Sequence, residues 1–194
     1  MRVQFMTQTM RLLYQLAEPQ AGYFTTAQAV DAGVSRRALS GRARRGDIER
    51  VRYGIYRLRD FPTHPFEDVA AACLWAGPGS AASHETALAI HRISDAMPAS
   101  IHLTVARPFR GSQPGVVVHH AALPGADRET RDGVPVTTIA RTLQDVATSS
   151  DPALVQQAVE QAITQGALNR RQLRKIVRDT PELAPLVVGA LADE

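Results

Sequence analysis

The chain has 194 residues, 44% of them hydrophobic, enough for one large domain or two small ones with packed cores. Its only cysteine, Cys73, lies in the apolar run AAACLWAG and is expected to be buried, which excludes an intramolecular disulfide and a cysteine-based zinc site. The net charge of +3 hides an asymmetry: residues 1–60 carry eleven arginines against five acids, a net +6, whereas residues 61–194 carry eleven basic against fourteen acidic residues, a net −3, so the head alone is expected to meet phosphate.

In residues 5–17, Met6, Met10, Leu13 and Ala17 share one helical stripe, the pattern of a first helix packing on a core. Pro19, Gly22 and Tyr23-Phe24 read as a connector. Thr25 with Gln28 makes a capping box, so a second helix begins at Thr26, and Gly33 breaks it in a tight turn. Ser35 caps a third helix that Gly46 ends. On this third helix Leu39 and Ala43 face the core, while Arg36, Arg37, Ser40 and Arg44 fall on the opposite arc. Ile48–Val51 and Ile55–Leu58 are short strands around Tyr53-Gly54, and Arg50, Arg52 and Arg57 decorate that hairpin. Helix, turn, basic helix and hairpin, in that order, make a winged helix-turn-helix. The plain alternative is a solvated arginine face on an ordinary helix, but the second cap and the wing in sequence favour DNA. The candidate DNA-binding residues are Ser35, Arg36, Arg37, Ser40, Arg44, Arg45, Arg50, Arg52 and Arg57.

The run from Asp60 to Pro65 holds two prolines and is the expected boundary. This divides the chain into a winged helix-turn-helix domain over 1–60, a linker over 61–65, and a mixed α/β domain over 66–194 with a helical C-terminal tail, an α+β chain overall. Phe66–Ala76 reads as an apolar helix ended by Gly77-Pro78-Gly79. Ser83 is expected to cap a helix over HETALAIHRI. Ile101–Ala106 and Gly115–His120 read as strands flanking an exposed basic loop with Arg107, Arg110 and Gly111. Asp132-Gly133 turns the chain into a strand over Val134–Val136, and Thr138 caps IARTLQDVA. Asp151 with Pro152 opens the next helix, Gly166 follows it, and Asn169 with Gln172 makes another capping box. Glu182–Leu191 is expected to form a last helix.

No catalytic constellation emerges. His84 and His91 are seven apart and share a helix face, without the i, i+4 spacing of a helical metal site. Adjacent Ser83 and His84 cannot face each other on a helix, which argues against a nucleophile pair. His119 and His120 alternate across a strand and point to opposite faces, which argues against a metal role for that pair. Arg141 and Asp145, at i, i+4, are expected to form an intrahelical ion pair. There is no glycine-rich phosphate loop, no Walker lysine motif, and Glu129-Thr130-Arg131 lacks the lysine of a paired-carboxylate nuclease signature. No enzyme activity, metal or cofactor is expected. No apolar stretch has membrane-spanning length and no signal region is evident, so a cytoplasmic location with no membrane partner is expected.

Four collinear segments carry a resemblance: the wing IERVRYGIYRL; Gly77-Pro78-Gly79 followed by SHETALAIHRI; the strand pair IHLTVARP and GVVVHH; and GVPVTTIARTLQDVA. In them the chain resembles the AbiEi-type antitoxins of type IV toxin–antitoxin systems, in particular their actinobacterial branch. The last segment matches the family's pattern of Gly, a hydrophobic residue, Pro-Val-Thr, then Arg-Thr and Asp. Some relatives append a nuclease-like domain after the tail; none is expected here. The resemblance implies a winged-helix autorepressor that binds double-stranded DNA at its own promoter, with a possible dimer on DNA. It also implies an α/β domain needed to counteract a nucleotidyltransferase toxin, directly or functionally, but assigns no residue of 66–194 to that role. Two other readings stay open: a winged-helix regulator whose second domain senses a ligand or dimerises, without a toxin partner, and an enzyme such as a degenerate nuclease.

Overall fold

Capping and periodicity give the first unit its helices. The computed structural model describes residues 7–106 and 108–192; Met6 of the first stripe and Arg107 of the basic loop lie outside the described residues. Helix α1 spans Gln8–Ala17 and buries Leu13 and Ala17. Strand β1, Tyr23–Thr25, occupies what the sequence reads as a connector. Helix α2, Thr26–Asp31, opens on the expected capping box, and α3, Arg36–Arg45, runs from the Ser35 cap to a left-handed Gly46. Strands β2, Ile48–Arg52, and β3, Ile55–Leu58, follow. The sheet order is β1-β3-β2, with both outer strands antiparallel to β3. Leu13, Phe24, Ala29, Val34, Leu39, Ile48, Tyr56 and Leu58 form one core between the three helices and this sheet.

By packing, the chain divides into two compact units after Gly77. Helix α4, Glu67–Ala76, belongs to the first unit, where it packs against β1 and β3. Its alanines, Val69 and Cys73 are buried on nearly every side, so its sequence shows no amphipathic stripe to say which domain it serves. The tip Asp132–Val134 also groups with the first unit.

The second unit is built on a five-stranded sheet of order β6-β5-β4-β8-β7. Its strands are β4 (Ala81–Ala82), β5 (Ile101–Val105), β6 (Val116–His120), β7 (Arg128–Arg131) and β8 (Val134–Thr137). Strand β5 is parallel to β6 and antiparallel to β4, and β4 is parallel to β8. Helix α5, His84–His91, packs on β5 and on α6, Ile139–Val146. Helices α7, Pro152–Thr164, and α8, Arg170–Asp179, carry the caps expected at Asp151 and Asn169. Leu88, Ile93, Leu143, Val146, Val155, Val159, Leu173, Ile176 and Leu183 form the core of this helical layer. The expected last helix over Glu182–Leu191 is instead a 3-10 segment, Pro181–Leu186, followed by α9, Val188–Ala192. Pro185 lies inside the first piece, where it lacks the amide that a continuous α-helix requires.

Candidate nucleic-acid interface

The turn between α2 and α3 is fixed from both sides. The Gly33 amide donates to the Val30 carbonyl at 2.9 Å and the Val34 amide to the Ala29 carbonyl at 2.8 Å. Gly33 stands at φ +89°, a conformation that glycine adopts without strain. Ala29, Val34 and Leu39 are anchored in the core, which forces the other face of α3 outward. Arg36, Arg37, Ser40, Arg44 and Arg45 are exposed there, and Ala43 is half-buried against the core. Ser35 is exposed, but its hydroxyl accepts the Ala38 amide as the helix cap at 3.2 Å, and the Ser40 hydroxyl donates to the Arg36 carbonyl.

At the end of α3 the arginines differ in their partners. Arg42 donates to Asp47 at 2.9 Å and to the Thr7 hydroxyl, and Arg45 reaches the same carboxylate at 3.5 Å. The Arg42 hydrogen bond holds the Asp47 carboxyl below the usual carboxylate range. Among the described residues, Arg36, Arg37, Arg44, Arg50 and Arg52 have no acidic partner.

The wing is held at its turn. The Thr26 amide, at the start of α2, donates to the Gly54 carbonyl at 2.8 Å, and the Thr26 hydroxyl reaches the same oxygen. Tyr53 at the tip is 93% exposed, and the Arg50 guanidinium lies 5.1 Å from its ring centroid. A register shift between Arg50 and Arg52 bends the β2 edge. Arg57 does not join this group. Its side chain is 12% exposed, pairs with Glu67 of α4 at 3.2 Å, and donates to the carbonyls of Leu58 and Phe61 at 3.2 and 3.0 Å. It fastens the segment after the wing, so the structure corrects its expected place among the phosphate-facing arginines. The cause lies in Glu67, ten positions away, which no hairpin pattern reveals.

The free arginines suit nucleic acid chemically. A guanidinium presents five donors in a planar fork that matches phosphate oxygens and the guanine edge. A helix of this size fits a major groove, and a hairpin beside it reaches the adjoining backbone.

The second unit holds two histidine arrangements that sequence spacing does not suggest. His91 is buried, its Nε2–H donating to the Thr137 carbonyl at 2.7 Å and its Nδ1 lying 3.8 Å from Glu129. Burial above all pushes its pKa down. His84 faces the other way. Ser83 is extended and His84, the first residue of α5, stands at the left-handed φ of +53°, so the two do not share regular helical backbone. The two side chains therefore meet, His84 Nδ1 and Ser83 Oγ being 3.0 Å apart, and Ser83 makes no side-chain cap. This corrects the expectation of a capping serine that cannot face its neighbour. The His84 ring stacks on His119 with centroids 3.7 Å apart and lies 5.8 Å from that of His102. His119 and the exposed His120 do alternate across β6 as expected.

Arg141 and Asp145 form the expected ion pair at 2.7 Å, and Arg141 also reaches Asp127 at 3.0 Å and the Ala122 carbonyl at 2.7 Å. Burial raises the pKa of Asp145, opposed by the bond from Arg141. Arg110 is exposed in the loop after β5. Among the described residues, no helix is long and apolar enough to cross a membrane.

Comparison with known proteins adds to this geometry. A family model described as a transcriptional regulator, AbiEi antitoxin, matches residues 11–59, and one described as the AbiEi antitoxin C-terminal domain matches residues 70–191. A solved structure with the same fold is that of the RV2827C protein from Mycobacterium tuberculosis, at 14% identity and a TM-score of 0.53, covering 95% of this chain and 78% of that one. No match is found among curated proteins.

Proposed function

Because the chain belongs to the AbiEi antitoxin family, with a transcriptional-regulator module at its head, we propose that it represses its own operon and counteracts a nucleotidyltransferase toxin. The observation that carries the DNA half is the outward face of α3, where Arg36, Arg37 and Arg44 stand exposed, without an acidic partner among the described residues, beside a wing bearing Arg50 and Arg52. In this reading α3 lies in the major groove of double-stranded promoter DNA. Arg36, Arg37 and Arg44 reach base edges or the flanking phosphates, and Arg50 and Arg52 reach the backbone. Ser35 and Ser40 flank the contact, and Arg45, held loosely by Asp47, is its outer rim. A dimer on repeated half-sites accounts for operator selection.

The antitoxin half is assigned to the second unit in the cytoplasm, acting on the toxin directly or through its products. Two measurements test the reading. Gel shifts with the chain's own promoter are expected to show tighter binding than a random duplex of equal length, and equal affinity for the two overturns the repressor role. Co-expression with the neighbouring nucleotidyltransferase is expected to restore growth, and undiminished toxicity at full antitoxin expression overturns the antitoxin role.

A further inference from the structure

His84, His102 and His119 each offer a ring nitrogen within 4.8 Å of the other two. Three separate elements deliver them. In the parallel β5–β6 pair, His102 sits opposite Val117 and Thr104 opposite His119. His102 and His119 are therefore diagonal neighbours on one face of the sheet, with His102 Nδ1 3.0 Å from His119 Nε2. His84 comes from the start of α5, which is fastened to the backbone of His102 at two points. The Ser83 amide donates to the His102 carbonyl at 3.0 Å, and the His102 amide donates to the Thr86 hydroxyl at 2.9 Å.

The His84 backbone is held at φ +53°, where a non-glycine residue persists only if its surroundings impose it. That conformation aims the imidazole at the other two. With Nδ1–H donating to Ser83 Oγ, Nε2 is left with its lone pair directed away from the serine. An outer partner on the far ring nitrogen is how proteins set the tautomer of a metal-binding histidine. Among the described residues, no carboxylate hydrogen-bonds to any of the three rings. His84 is buried, whereas His102 and His119 are half-buried, so the cluster is open to solvent on one side.

We propose that His84, His102 and His119 bind a divalent first-row transition ion, with Zn2+ the best match. An all-imidazole set of three suits zinc, copper, iron or nickel and not the hard ions magnesium or calcium. Tetrahedral zinc with bonds of about 2.0–2.1 Å separates its nitrogen ligands by roughly 3.3 Å. The His102–His119 pair already has nearly this spacing. The ion replaces the hydrogen bond between those two rings, each keeping its proton on its far nitrogen, and His84 Nε2 completes the triad. A fourth position faces solvent, where water or a side chain of a bound partner fits.

The test uses the untagged full-length chain after chelator treatment. Titration with Zn2+ alone is expected to show one ion per chain, and Co2+ is expected to give the visible bands of a tetrahedral site. His102→Asn and His119→Asn are each expected to weaken Zn2+ binding by about 100-fold or more. Ser83→Ala should weaken it about tenfold, the scale of losing an outer partner. His120→Asn, exposed on the other face, should bind as wild type. Affinity unchanged in the His102→Asn/His119→Asn pair overturns the site, as does a wild-type titration without one-to-one stoichiometry. The wild-type Zn2+ and Co2+ titrations decide the matter if a variant fails to fold.

Discussion

Helices α3 and α6 both present arginine, and they use it in opposite ways. On α3, Arg36, Arg37 and Arg44 extend into solvent with no acid in reach among the described residues. On α6, the Arg141 side chain is only 12% exposed, and its donors are consumed by Asp145, Asp127 and the Ala122 carbonyl. The first set keeps its charge available to a polyanion. The second has exchanged its water for carboxylates and joins α6 to the stretch between β6 and β7. Arg57 belongs with Arg141, although in sequence it stands among the arginines of the wing. Counting basic residues measures the field around a surface, and the partners of each guanidinium decide whether it contributes to binding or to folding.

That contrast breaks most visibly on α3. The Arg36/Arg37/Arg44 triple alanine variant is expected to lose operator affinity by at least about 3 kcal/mol, at about 1 kcal/mol or more per reading side chain. Its thermal midpoint should hold, and it should still rescue growth from an independent promoter. A parallel loss of rescue at equal folded protein would place the basic helix in the neutralising surface. Arg141→Ala should do the reverse. It leaves Asp145 buried without its cation and is expected to cost about 3 kcal/mol in urea unfolding, with operator affinity of the folded protein unchanged.

Within the first unit the same division separates neighbours. Arg57→Ala is expected to cost about 1–2 kcal/mol of stability through lost hydrogen bonds and to leave the salt dependence of DNA binding as it was. Arg52→Ala should leave stability in place, weaken all duplexes alike, and lower the slope of log affinity against log salt by about 1. Gly41, in the middle of α3, has room for a methyl group, the nearest atom being the flexible Arg45 end at 3.6 Å. Gly41→Ala should therefore stabilise the chain by about 0.5–1 kcal/mol. A fall in DNA affinity on that change would show that the helix surface approaches the duplex closely at this point.

The smallest expected effect is on a slope. Burial keeps the His91 imidazole neutral in the fold, while the unfolded chain takes up a proton below about pH 6.5. The His91 contribution is therefore complete above that pH and is lost as pH falls. Urea midpoints on either side of about pH 6.5 should show this fall, and His91→Gln should make it shallower.

Local chemistry made much of the fold legible. The boxes at Thr25/Gln28 and Asn169/Gln172, the caps at Ser35, Thr138 and Asp151, and the left-handed Gly46 all fall where side-chain type alone puts them. Three strands lack such signals: β4 is two alanines, β7 is Arg-Glu-Thr-Arg, and β1 is three residues between two helices. They exist because neighbouring strands pair with them. The basic face of α3 was readable because it lies within one helix. The histidine cluster was not, because it depends on the β5–β6 register and on one left-handed residue. Residue spacing along one element reports neither.

The sheet of the first unit has a consequence for the order of synthesis. Its middle strand is the last one made: β1 and β2 both pair with β3, residues Ile55–Leu58, and not with each other. While the ribosome is still adding the wing, β1 therefore has no partner strand, and Phe24 and Leu39 lack the layer that Tyr56 and Leu58 supply. A nascent chain stalled before Ile55 carries the whole of α3 and two strands that do not pair with each other. The basic face of α3 becomes rigid in one late step, after the turn at Gly54 has emerged, and a protease applied to stalled nascent chains should find the head cut freely before that point and protected soon after it.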